Sequence, residues 1–455
     1  MLWKEEYNRK LTSYEEAARE IKSGDFITNA MGVGAISEVM INAILDRWQE
    51  LQGVNILDCV QFYPSKLYDP KFMYQIQDHI TYSPCFGVGT ILAINKSQVP
   101  DHLITMAHDG DNMFSHLADV HLFMVSPPNE HGFVNLGPCP FYSANTIRDG
   151  RNKFHLRMAI AEVNDQMPIV FGDNWMHVSE IDRFIEISRP MPVVPRPAPT
   201  EVDQAIGNYA LELIKDGDNL QMGIGGTAEA LSKLLTGKHD LGVLTELLPT
   251  TLPDLVEKGI VTNRKKHFYN GISTGTFGFG DKRFYDFVNE NPAVNVYPGI
   301  TTNNPCFIAS NPNVVALNSC IMVDFTGQSC CDSVGNTMIS GIGGQLDFMI
   351  GSFLSDGGRG ILMLPSSRLD EKGVLRSNIV PEMPGGTRIG VPATYAQYYV
   401  TEYGIANIRY LTRRKRAEAL IAIAHPDLRS ELRNELKARF YPKPISIPSS
   451  EASEE

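Results

Sequence analysis

Lys215-Asp-Gly-Asp-Asn-Leu-Gln-Met-Gly-Ile-Gly-Gly226 reads as a turn, a short strand and a glycine-rich bend that opens a helix. Gly217 suits the turn because glycine reaches positive φ without a Cβ clash, and the aspartates beside it can hydrogen-bond nearby backbone N–H groups. The same order occurs earlier in the chain. Lys22-Ser-Gly-Asp25 opens a strand that runs into Met31-Gly-Val-Gly34 and then a helix. A weaker second pair, residues 118–132 and 315–327, places an apolar strand before a polar turn in each copy. Recurrence of a strand–turn–helix unit implies two tandem domains of common ancestry.

Between the copies lies Pro190-Met-Pro-Val-Val-Pro-Arg-Pro-Ala-Pro199, where five prolines in ten residues prevent both a helix and a paired central strand. The expected organisation is therefore an N-terminal α/β domain over residues 1–190 and a C-terminal α/β domain over 200–441. The Pro/Ser/Glu-rich tail at 442–455 has little to bury and should be disordered. In the first half, apolar runs at 26–30 and 121–125 alternate with helical stretches such as 36–48, and the alternation resumes after Glu201. The expected fold class is α/β: two tandem related open domains, mostly parallel sheets covered by helices, with the active site between them.

The 455 residues carry a net charge of -12, which argues against nucleic acid as a partner. A phosphorylated ligand stays possible, because converging backbone N–H groups bind phosphate inside an acidic protein. No apolar run approaches the ~18 residues of a membrane span, and Met1-Leu-Trp-Lys-Glu-Glu-Tyr7 lacks the apolar core of a signal peptide. The expected location is cytoplasmic, with no membrane partner. Seven cysteines, an odd count with no C-x-x-C pair, read as reduced thiols and leave no metal site. The basic run Arg413-Arg-Lys-Arg416 reads as a solvated helix face.

Two glycine clusters, Gly223-Ile-Gly-Gly226 and Ser340-Gly-Ile-Gly-Gly-Gln345, allow close backbone approach to a ligand. Between them, Asp240-Leu-Gly-Val-Leu-Thr-Glu246 is an apolar strand ending in a carboxylate, and ligands of open α/β sheets collect at the carboxyl ends of strands. One pattern points elsewhere. Gly223-x-Gly225-x-x-Ala228 with Glu246 18 residues on is the dinucleotide fingerprint with its ribose-binding acid, and by itself makes the chain a nicotinamide-dependent dehydrogenase.

From about Trp3 to Phe440 the chain resembles the acetyl-CoA hydrolase/transferase family of class I CoA transferases, particularly its 4-hydroxybutyrate and butyryl-CoA:acetate members. The similar segments are Val125-Ser-Pro-Pro-Asn-Glu-His-Gly132, Ala161-Glu-Val-Asn-Asp-Gln166, His177-Val-Ser-Glu-Ile-Asp182, Tyr399-Val-Thr-Glu-Tyr-Gly-Ile-Ala406 and Ala422-Ile-Ala-His-Pro-Asp427. The resemblance implies that Glu246, in the context Thr245-Glu246 followed by Asp254-Leu-Val-Glu-Lys-Gly-Ile260, is a nucleophile that carries CoA as a thioester. It implies that Gly341, Gly343 and Gly344 form the oxyanion and CoA loop, and that Gly223, Ile224, Gly225, Gly226 and Thr227 form a second CoA-contacting loop. Coenzyme A is then substrate and covalent intermediate, with no tightly bound cofactor.

The implied partners are an acyl-CoA and short-chain carboxylic acids, among which acetate, butyrate, 4-hydroxybutyrate and a dicarboxylate such as itaconate stay open. An acyl-CoA hydrolase is the close mechanistic variant, and a homodimer or homotetramer is the expected assembly. Met31 is expected to close the acyl pocket, because the repeat sets it at the first strand's end. His131, His177 and His425 are expected to be structural.

Overall fold

The computed structural model describes residues 3–87, 94–95, 97–194, 198–223 and 225–441. The tail at 442–455, residues 195–197 of the proline segment and Ile224 lie outside the described residues.

Six of the strands before the proline segment belong together: β1 (Phe26–Asn29), β2 (Val54–Asp58), β3 (Ile80–Pro84), β4 (Val120–Val125), β5 (Met158–Asn164) and β6 (Arg183–Ile187). They form one sheet in the order β3-β2-β1-β4-β5-β6 with every pair parallel. All residues of β4 and β5 are buried. That explains their near-continuous apolar sequences, since a parallel strand covered on both faces has no wet side. The helix expected at 36–48 is confined to α1 (Glu38–Leu45). Ile36 N–H donates to Asn29 Oδ1 (3.0 Å) and Ser37 N–H to Glu162 Oε2 (2.9 Å), so those two residues are held outside the first turn.

The second sheet comprises β7 (Asn219–Met222), β8 (Gly242–Val243), β9 (Val314–Ser319), β10 (Arg359–Met363), β11 (Tyr398–Thr401) and β12 (Gly404–Asn407), in the order β8-β7-β9-β10-β11-β12. Only its last pair is antiparallel. The strand read at 240–246 shrinks to the two residues of β8. There the Val243 N–H is taken by the Asn263 side chain (2.8 Å) rather than by a further strand. Buried residues on the two sides of the proline segment, such as Met31, Cys59, Leu220 and Leu247, belong to one continuous apolar cluster. The halves thus share a core where their strand ends meet. Burying each such side chain is worth about 1.5–3 kcal/mol.

Candidate active site

The carboxyl ends of six strands, three from each sheet, converge on one cavity of about 260 Å³. Met31 follows β1, Cys59 follows β2 and Cys85 follows β3; Gly223 follows β7, Glu246 follows β8, and Asn318 and Ser319 end β9. Parallel sheets place their loops together at this end, which is why ligands collect there.

Glu246 is fixed through its backbone. Its carbonyl oxygen accepts from Thr276 N–H (2.8 Å) and Phe277 N–H (3.0 Å), and the preceding Thr245 N–H donates to Thr274 O (3.0 Å). Below it, the Lys266 ammonium donates to Val243 O, Ile272 O and Thr274 Oγ1 at 2.7–2.9 Å and ties β8 to the neighbouring segment. No carboxylate is among the acceptors of Lys266, and burial pushes it down to about 7. A rigid support of this kind keeps a reacting group within the narrow tolerance that catalysis needs.

The Glu246 carboxyl is half-buried and lines the cavity. Oε2 accepts the Gly344 N–H at 3.0 Å. A Cβ on Gly344 would collide with both Glu246 Oε2 and Asn303 Nδ2, so only glycine lets this N–H approach so closely. Asn303 Nδ2 is buried beside the Glu246 and Asp347 carboxyls, and its carbonyl oxygen accepts from Thr276 Oγ1 (2.9 Å). A fixed amide donor thus stands beside the carboxyl. Burial pushes Glu246 up from its ordinary 4.5 to about 8, and the nearby Asp347 charge adds to the rise; Gly344 N–H and the Asn303 amide act in the opposite direction.

Of the residues singled out from the sequence, Met31, Gly223, Glu246, Gly341, Gly343 and Gly344 line the cavity. Gly225, Gly226 and Thr227 do not: Gly225 is exposed with open space beside it, and Gly226 and Thr227 face helix α3 (Glu201–Glu212). Thr227 Oγ1 donates to Asp203 Oδ1 at 2.6 Å, and a Cβ on Gly226 would stand 2.6 Å from Asp203 Oδ2. Burial pushes Asp203 up, but hydrogen bonds from Thr227 and Thr200 outweigh it and keep it below the usual range. The start of helix α4 (Gly226–Leu234), where a dinucleotide pyrophosphate would sit, therefore already faces a carboxylate of the chain itself. Ile224 lies outside the described residues.

Asn303, Lys266 and the reciprocally bonded pair Gln221–Asn318 (2.8 and 3.1 Å) in the cavity wall were not singled out from sequence. An asparagine before Asn304-Pro305 reads as an ordinary helix start, and nothing local marks it as facing Glu246. Among the described residues no group of histidine, cysteine and carboxylate side chains could hold a metal ion, and no helix is long and apolar enough to cross a membrane.

The acetyl-CoA hydrolase/transferase N-terminal domain matches residues 1–195, and the C-terminal domain of the same family matches residues 280–436. The chain belongs to the acetyl-CoA hydrolase/transferase family. It is 36% identical to the 4-hydroxybutyrate coenzyme A transferase of Clostridium kluyveri over 97% of this chain and 100% of that protein. It is 32% identical to the butyryl-CoA:acetate CoA-transferase of Anaerostipes caccae, over 95% of this chain and 97% of the relative. Among solved structures, RipA from Yersinia pestis superposes with a TM-score of 0.87 at 30% identity, covering 96% of this chain and 99% of RipA. These full-length matches bear out the family resemblance read from the sequence and the α/β fold class with mostly parallel sheets.

Proposed function

We propose that the chain moves CoA from an acyl-CoA to a short-chain monocarboxylate, and that Glu246 carries the CoA between the two half-reactions. The observation that carries this reading is the Glu246 carboxyl in the cavity wall between the two halves, held by the Gly344 N–H beside the buried Asn303 amide. The division into domains 1–190 and 200–441 belongs to the same reading, with the reacting atoms between the halves.

The chemistry needs only these groups. Ionised Glu246 attacks the thioester carbonyl; the C–S bond breaks, CoA leaves as thiolate, and a mixed anhydride joins Glu246 to the acyl group. The thiolate then attacks the Glu246 carbonyl carbon, and the first acid leaves as carboxylate. Negative charge develops on a Glu246 oxygen in that step, where the Gly344 N–H already points. Loss of one such donor costs roughly 2.7–4 kcal/mol of barrier. The second acid attacks the glutamyl thioester, forms a new anhydride and frees the thiolate. Attack of that thiolate on the new acyl carbonyl releases the product thioester and restores Glu246.

The wall contributed by the first half is largely apolar, including Met31, Val60 and Phe141, and no lysine, arginine or histidine lines the cavity among the described residues. A second carboxylate on the substrate would find no cationic partner in this lining. The cavity therefore favours monocarboxylates such as acetate, butyrate or 4-hydroxybutyrate over itaconate or succinate. An acceptor panel assayed with acetyl-CoA tests this. Parallel double-reciprocal lines with monocarboxylates are expected; intersecting lines, or a preference for succinate, contradict the reading.

A further inference from the structure

Helix α5 (Gln345–Leu354) begins immediately after Gly344, and its third residue, Asp347, places a completely buried carboxylate one turn behind the N–H that holds Glu246. Its partner comes from the other half of the chain. His108, near the start of helix α2 (Ala107–Leu117), donates its backbone N–H to Asp347 Oδ2 (3.1 Å). Its Nδ1 lies 2.5 Å from Asp347 Oδ1. One residue earlier, Ala107 N–H donates to Gly343 O at 3.1 Å. The two halves are thus clasped at the glycine loop itself, and the clasp contains a charge.

Asp347 is completely buried and acts electrostatically on the Glu246 carboxyl, and such a pair resists double ionisation. The groups facing them are few. Glu246 meets Asp347, the Asn303 amide and Gly344 N–H, with Tyr142 in electrostatic reach; Asp347 meets His108 and Asn303; His108 meets Asp347 and Asp109. His108 is the one group among these able to carry a positive charge. The Asp347 hydrogen bond raises it above the ordinary histidine range despite partial burial. Burial pushes Asp347 up while His108 pulls it back.

We infer that Asp347 and His108 form a positioning pair in which protonated His108 cancels the Asp347 charge, so that a carboxylate can stand ionised at Glu246. This rests on the proposed role of Glu246. The need arises twice in a turnover. Glu246 must be ionised to attack the acyl-CoA; once it is a neutral thioester, the incoming acid brings its own negative charge to the same place. Removing the imidazolium leaves Asp347 to oppose both. Removing the Asp347 charge relieves both.

The test compares His108→Gln, Asp347→Asn and the double variant by the pH dependence of single-turnover adduct formation and by separate KM values for acyl-CoA and acid. His108→Gln should move the acid limb of the profile up by ~1 pH unit and raise KM for the acid more than KM for acyl-CoA. Asp347→Asn should move the limb down, and the double variant should return it close to the wild-type position. A uniform loss of kcat with the limb unmoved in both single variants would make the pair a structural clasp only and overturn the inference. Should the variants fail to fold, the His108 ring signal of the wild-type protein decides by NMR. A charged ring at pH 7 is expected, and a neutral ring overturns the inference. Absence of any CoA adduct on wild-type Glu246 would instead defeat the reading on which the pair depends.

Discussion

The turns at Lys22–Asp25 and Lys215–Asp218 are built alike. In each, the lysine N–H donates to the aspartate Oδ2 at 2.6 Å, the glycine sits at φ +83° or +81°, and the aspartate pairs with an arginine, Arg157 or Arg359. The residue after each aspartate enters a parallel ladder, Phe26 opposite Asn55 and Asn219 opposite Gly242. Four residues beyond those partners stand Cys59 and Glu246, at matching places in the two halves and both in the wall of the same cavity. The first half offers there a thiol that burial holds well above the usual range. The second offers a carboxylate gripped by Gly344. The two turns share one framework, and in the proposed reaction the second copy's carboxylate reacts while the first copy's thiol serves as wall.

The largest expected contrast lies at this pair. Glu246→Gln should lower transfer by roughly 10³-fold or more, as removal of a nucleophile does. The same variant tests the cost of the site. With Glu246 at about 8 against its ordinary 4.5, the folded protein holds a proton that the unfolded chain releases across that window. The contribution of Glu246 to stability is thus fully present below 4.5 and lost as pH rises through 8. Thermal melts should show Glu246→Gln gaining on the wild type between pH 5 and pH 8.5, and a constant difference would count against a raised Glu246.

Gly344→Ala comes next. Its Cβ would meet Glu246 and Asn303 together, and kcat should fall by about 10²–10³ with the fold intact; an unchanged kcat would release the glycine loop from its role. The repeated turns give a smaller effect, read as stability. Asp218 and Arg359 are more buried (2% and 10% exposed) than Asp25 and Arg157 (8% and 27%). Asp218→Asn should therefore cost about 3 kcal/mol and Asp25→Asn less, since breaking the more enclosed pair leaves the more costly unpaired charge. Denaturant unfolding gives both values, and the reverse order would contradict the comparison. Smallest of all, Cys59→Ser should change kcat by no more than about threefold, whereas a loss comparable to Glu246→Gln would give the first half chemistry of its own.

The repeated turn, the two sheets and a carboxylate just beyond a strand were legible in the sequence because each is written in a short local pattern, although the strand before Glu246 is only Gly242–Val243. The surroundings of Glu246 were not. Asp347 looks like an ordinary acidic residue in a helix's first turn, and its partner His108 is 239 residues away. The loop at Gly225–Thr227 carries a ligand-binding pattern, yet Asp203, from the preceding helix, already occupies that helix start. Patterns mark where the backbone can bend; which charge fills the bend depends on what the fold brings to it.

The most direct test is the covalent state of Glu246 during turnover. Protein incubated with acyl-CoA in the absence of an acceptor acid, then digested and mapped by mass spectrometry, should carry CoA as a thioester on the peptide containing Glu246. Acceptor acid should discharge it, and borohydride should reduce it with loss of activity. CoA found on another residue, or full transfer activity with no adduct at any time, would contradict the account.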